Sequence, residues 1–197
     1  MTMQINWTDE QFKTEISNYQ YLIENFINVD TTDRDSRDAS GKNFQIACNS
    51  YFRNALVARS HAGINILGKY YELLEAYKDM PNRPTFKDTL TKLYKETGII
   101  TPFLASQIVH FFNPDMPIYS RWVRTGLNAQ IDTQDIENAC KDYEHLTKLM
   151  HDFRDSAAGQ EIIQSFRSAF NGRTNRSISD TKIIDFYFWF TSVDNGD

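Results

Sequence analysis

Apolar residues in this chain recur three or four positions apart in segment after segment, and nowhere do they alternate convincingly with polar ones. Phe12, Ile16, Tyr19, Ile23 and Phe26 form the first such stripe, and Ile136, Cys140, Tyr143, Leu146, Met150 and Phe153 form the longest. That spacing puts side chains on one face of an α-helix, whereas a half-buried strand needs a period of two. No internal repeat is visible. The spacing therefore predicts an all-α fold, a single compact domain over residues 1–197 with seven to nine helices and a helix-hairpin-helix-like element.

Helix boundaries follow from the punctuating residues. Thr8 and Gln11 have the spacing of a capping box for the first helix. The stretch 30–43, rich in Asp, Arg, Ser and Thr, reads as an exposed loop. A long helical region from Phe44 to Met80, broken near Ser60 to Gly63, has Tyr70, Leu73, Leu74 and Tyr77 on its core face. After Pro81 and Pro84, Thr85 with Asp88 caps a helix that ends at Gly98, since glycine tolerates the left-handed conformation of a helix end. Thr101-Pro102 starts another, proline being welcome in a first turn, and Asn113-Pro114 with Pro117 closes it. Ser120 caps a short helix, Asp132 or Thr133 opens a longer one, and Asn171-Gly172 ends the next. The last, from about Ser179, is apolar almost all round and predicts a central buried helix or a partner-binding surface.

With 197 residues, 41% hydrophobic and 24% charged, the chain can build one sizeable core and is not of disordered composition. No apolar run approaches the ~20 residues that span a bilayer, and no secretory leader pattern opens the sequence. Cys48 and Cys140 lie in helical stripes without C-x-x-C spacing, as buried thiols do in a reducing compartment. A cytoplasmic protein that makes no membrane contact is expected.

The net charge of -5 argues against a sequence-blind polyanion binder. It is unevenly spread. Residues 1–43 carry 4 basic and 8 acidic groups, and residues 128–165 carry 3 and 8. Arg121 and Arg124 stand without an acid in 117–127, and Arg167, Arg173, Arg176 and Lys182 face only Asp180 in 166–183. If these two windows meet, they form a basic patch on an acidic body. The four histidines, His61, His110, His145 and His151, are scattered; no H-E-x-x-H, paired Cys-His spacing or glycine-rich phosphate loop occurs. No metal or cofactor is expected.

The most informative stretch runs from Thr97 to Leu127. A tight turn at Gly98, Ile99, Ile100 and Thr101 between two helices directs backbone N–H groups outward at the second helix's start, where they can hold a phosphate; a packed helical hairpin with no ligand is the other reading. Ala105-Ser106-Gln107-Ile108-Val109-His110-Phe111-Phe112-Asn113-Pro114, with Pro117-Ile118-Tyr119 and Val123-Arg124, resembles small helical bacterial proteins related to the helix-hairpin-helix DNA glycosylases, near the 8-oxoguanine glycosylase-like branch. The resemblance covers about Gly98 to Leu127, with a weaker echo in Lys182, Asp185 and Trp189. It implies a carboxylate after a Pro-Ile step and, in bifunctional members, a lysine just after the hairpin. Ser120 stands at the first position, Pro102 at the second, and Ile100 replaces the second hairpin glycine. A serine hydroxyl carries no charge to stabilise an oxocarbenium ion, so base excision is not expected.

In that reading Gly98, Ile99, Thr101, Arg121 and Arg124 contact DNA, while Tyr119, Trp122 and Trp189 are candidates for stacking on a base. Arg121 and Arg124, three apart, suit two adjacent phosphates or the acidic helix at 132–155. A second reading makes the chain an acidic protein-binding module, from a mobile element or host-defence system, that meets a basic partner or imitates nucleic acid. A third is an active glycosylase or lyase using Asp115 or Asp185, although Lys182 and Asp185 fit a buried polar pair better.

Overall fold

Helix α1 (Glu10–Ile27) buries Phe12, Ile16, Tyr19 and Ile23 of the predicted stripe and also Leu22, while Phe26 is partly buried against the same core. The computed structural model describes residues 5–7, 9–27, 34–54, 65–129, 134–170 and 178–194. Thr8 of the expected capping box lies outside them; at the start of the helix Asp9 Oδ1 accepts the Gln11 amide at 2.9 Å.

Helix α2 spans Arg34–Phe52, which corrects the loop expected over 30–43: residues 34–43 are helical, and 30–33 lie outside the described residues. Nucleating a helix is costly and extending it is not. Phe44, Ala47 and Cys48 anchor the second half in the core, with Phe44 5.6 Å from Phe26 of α1, and the polar residues before them extend that anchored helix. The break expected near Ser60 to Gly63 lies outside the described residues.

Helix α3 (Ile66–Lys78) starts at Asn65, whose side chain accepts the Gly68 amide, and buries Tyr70, Tyr71, Leu74 and Tyr77. Thr85 caps α4 (Phe86–Thr97) through the Asp88 amide, and Gly98 ends it at φ +70°, both as predicted. Helix α5 (Pro102–Phe112) has Pro102 in its first turn and is buried continuously from Leu104 to Phe111. Ser120 caps the short α6 (Arg121–Gly126).

Helix α7 (Ile136–Asp155) is capped by Asp135, not by Asp132 or Thr133, which lie outside the described residues. Ser156 links α7 to α8 (Ala157–Ala169) and accepts the Gly159 amide. The last helix, α9 (Asp180–Asp194), packs against α6, α7 and α8. Its Phe186 reaches Phe12 and Tyr19 of α1, at 5.8 Å and 5.7 Å between ring centroids.

The fold is a compact all-α domain of nine helices among the described residues, with no strand there. One cluster of buried side chains runs from Trp7 to Phe188. No helix among the described residues is long and apolar enough to cross a membrane.

Candidate nucleic-acid interface

The bend between α4 and α5 uses part of its hydrogen-bonding capacity internally. The Gly98 amide donates to Tyr94 O at 2.7 Å. The Ile99 amide donates to Thr97 Oγ1, which itself donates to Leu93 O. Two of the amides expected to meet phosphate are therefore already bonded. The start of α5 differs: Thr101 sits at the cap position yet caps nothing, and its Oγ1 is buried without a hydrogen-bond partner.

The segment 113–120, which delivers α6, is held from several helices. Ser106 Oγ donates to Phe103 O and accepts the Tyr119 amide, both at 2.8 Å, so α6 starts beside the first turns of α5. His110 Nδ1 meets Met116 O at 2.8 Å, and His151 Nε2 meets Asp115 O at 3.0 Å. Tyr143 donates to Pro117 O and Ser179 to Pro114 O. Ser120 Oγ accepts the Val123 amide at 3.3 Å. At the far end of α6, a Cβ on Gly126 would stand 2.1 Å from the Phe188 ring, which leaves room there only for glycine.

Arg121 is exposed, with its guanidinium 6.0 Å from the half-buried Trp122 ring. Arg124 is half-buried, 5.3 Å over the ring of Tyr119. Burial pushes the Tyr119 phenol up to about 12; Asp142 acts in the same direction and Arg124 against it. Neither Tyr119 Oη nor Arg124 Nε has a hydrogen-bond partner. Among the described residues, the buried side-chain atoms left without one are Thr101 Oγ1, Tyr119 Oη and Arg124 Nε, all within 101–124. Pattern reading misses this because satisfaction depends on groups distant in sequence.

The two described cations of the second basic window each lie beside an acid. Arg167 is half-exposed and ion-paired, its Nη2 donating to Asp180 Oδ1 and Ile178 O, each at 2.9 Å. Lys182 is buried and paired with Asp185. Arg173 and Arg176 lie outside the described residues. Among the other candidates, Trp189 packs toward Phe12 of α1, 6.5 Å between centroids, and Asp115 is exposed.

The Lys182–Asp185 pair has companions that spacing did not reveal. Lys182 Nζ lies 4.8 Å from the Tyr19 ring, 5.4 Å from Tyr51 and 4.7 Å from Phe186. Glu15 faces the cluster, its carboxyl pushed up by burial against the opposing pull of Lys182. Tyr19 Oη and His110 Nε2 are 2.8 Å apart. Burial first, and then Lys182, lower His110 to about 4.

Both cysteines are buried. Cys48 lies beside Tyr70 Oη, and burial pushes its thiol up to about 11. Cys140 lines a shallow groove of about 320 Å³ with Phe86, Lys87, Met116 and Tyr143, and burial raises its thiol as well. These are environments of structural thiols, not nucleophiles. No metal-binding group of side chains occurs among the described residues. Comparison with protein-family models, curated proteins and solved structures found no match.

Proposed function

We propose that this protein is a glycosylase-like helical module that contacts the nucleic-acid backbone without excising a base. The contact surface is the start of α5 together with α6. The observation that carries the reading is the concentration of orphaned polar atoms. Thr101, Tyr119 and Arg124 each have a proton to donate, and an unpaired buried donor costs about 1–3 kcal/mol. Nucleic-acid oxyanions that reach these atoms as the start of α5 and α6 adjust to a ligand would offset those costs. The Ser106 link, which seats α6 beside the first turns of α5, supports the same reading. The loss of excision rests on Ser120, whose hydroxyl serves as a helix cap, and on Asp185, whose carboxylate is paired with Lys182.

The acidic-module reading is weaker because α7 neutralises much of its own charge. Glu137 pairs with Lys141, Asp152 with Lys148 and Asp155 with Arg154.

The test is anisotropy of a labelled short duplex titrated with protein over a range of salt. Binding at low salt that weakens as salt rises is expected. Arg121→Ala with Arg124→Ala should flatten the plot of log affinity against log salt by about 2 slope units. No binding at low salt, or an unchanged slope in the double variant, overturns the proposal. Release of a base from damaged duplex, abolished by Asp115→Asn, would contradict the non-excising part.

A further inference from the structure

We propose that His110 is an acid-sensitive latch, which in its neutral form ties the 113–120 segment to α1 and which protonation weakens by reversing its bond to Tyr19 and adding a second buried cation. The hydrogen bonds fix its tautomer. A carbonyl oxygen only accepts, so the ring nitrogen facing Met116 O, Nδ1, carries the proton. Nε2 is then bare and accepts from the Tyr19 hydroxyl. One neutral ring thus joins the backbone ahead of α6 to the middle of α1.

Protonation at Nε2 reverses the second bond. Nε2–H must donate to Tyr19 Oη, the phenol proton loses its acceptor, and a second cation appears near Lys182. The groups facing this cluster give the new charge little relief. From α1 come Tyr19 and Glu15, from α2 Tyr51, and from α9 Lys182 and Asp185. The phenols of Tyr19 and Tyr51 are pushed up by burial and stay neutral in acid. Asp185 is already committed to Lys182. Burial raises the carboxyl of Glu15, so acid also removes the negative charge that faces Lys182.

The sign follows from linkage. His110 binds its proton less readily folded, at about 4, than at its ordinary value of 6.5. Stability is therefore complete above pH 6.5 and is lost as pH falls from there toward 4. The latch does not depend on whether the segment contacts nucleic acid.

Two measurements on the full chain decide it. In NMR spectra of the wild-type protein, the His110 ring should remain neutral with its proton on Nδ1 down to about pH 5. It should take up a second proton only near 4, while the amide shifts of Met116 to Ser120 move along the same curve. His110→Gln can donate to Met116 O and accept from Tyr19 but cannot titrate. Between pH 7 and pH 4.5 the folded-to-unfolded ratio of the wild type should fall about fiftyfold more than that of the variant, read by denaturant unfolding. Titration of His110 near its ordinary value, no movement of residues 116–120, or the same pH dependence in both proteins overturns the latch. If the variant does not fold, the ring titration alone decides.

Discussion

Ser120 stands where the resemblance would place a carboxylate, and its hydroxyl has a local task, accepting the Val123 amide at the start of α6. Removing a cap of this kind costs about 1 kcal/mol. Ser120→Ala should lose that much in denaturant unfolding, while Ser120→Thr, which keeps the capping hydroxyl, should lose less. Equal stability of Ser120→Ala and the wild type would remove the cap from the account. This role was legible because a cap and its helix are neighbours in sequence. The cluster around Lys182 was legible only in part. Its pairing with Asp185, one turn away, follows from spacing, but Glu15, Tyr19, Tyr51 and His110 join from three other helices, and no local pattern carries that information.

At the scale of the helix, the punctuation that can be read from the chain has its expected geometry. Thr85, Gly98, Pro102 and Ser120 begin or end helices as predicted, because each acts on amides or dihedrals within a few residues. The start of α2 was misread because its polar first half is helical only as the extension of a half anchored by tertiary packing. Two glycines test the account of the ends of α4 and α6. At Gly98 a methyl group would meet nothing within 4 Å, so Gly98→Ala should cost only the left-handed backbone, about 1 kcal/mol. At Gly126 the same methyl would collide with the Phe188 ring, and about 1–3 kcal/mol is expected for the overpacking. Thermal unfolding of both variants should rank Gly126→Ala as the less stable; the reverse order would mean that α6 is not seated on α9 as described.

For the whole molecule, the all-α architecture was legible because helical periodicity recurs in most segments, whereas the charge map was not. Sequence counts placed Arg167 and Lys182 in a basic window, yet in the fold Arg167 pairs with Asp180 at the surface and Lys182 is buried against Asp185. Charge counts treat every cation as exposed, and tertiary structure decides which ones are. The contact surface proposed at the bend is narrow and lies on an acidic body, so the proposed nucleic-acid binding should be weak and sharply localised. The most direct check is an amide chemical-shift map of the ¹⁵N-labelled protein, titrated with a short duplex at low salt. The account predicts the largest changes at Thr101, Phe103, Tyr119, Arg121 and Arg124, fading as salt is raised. An unchanged spectrum, or changes centred on α7 with the start of α5 undisturbed, would contradict it.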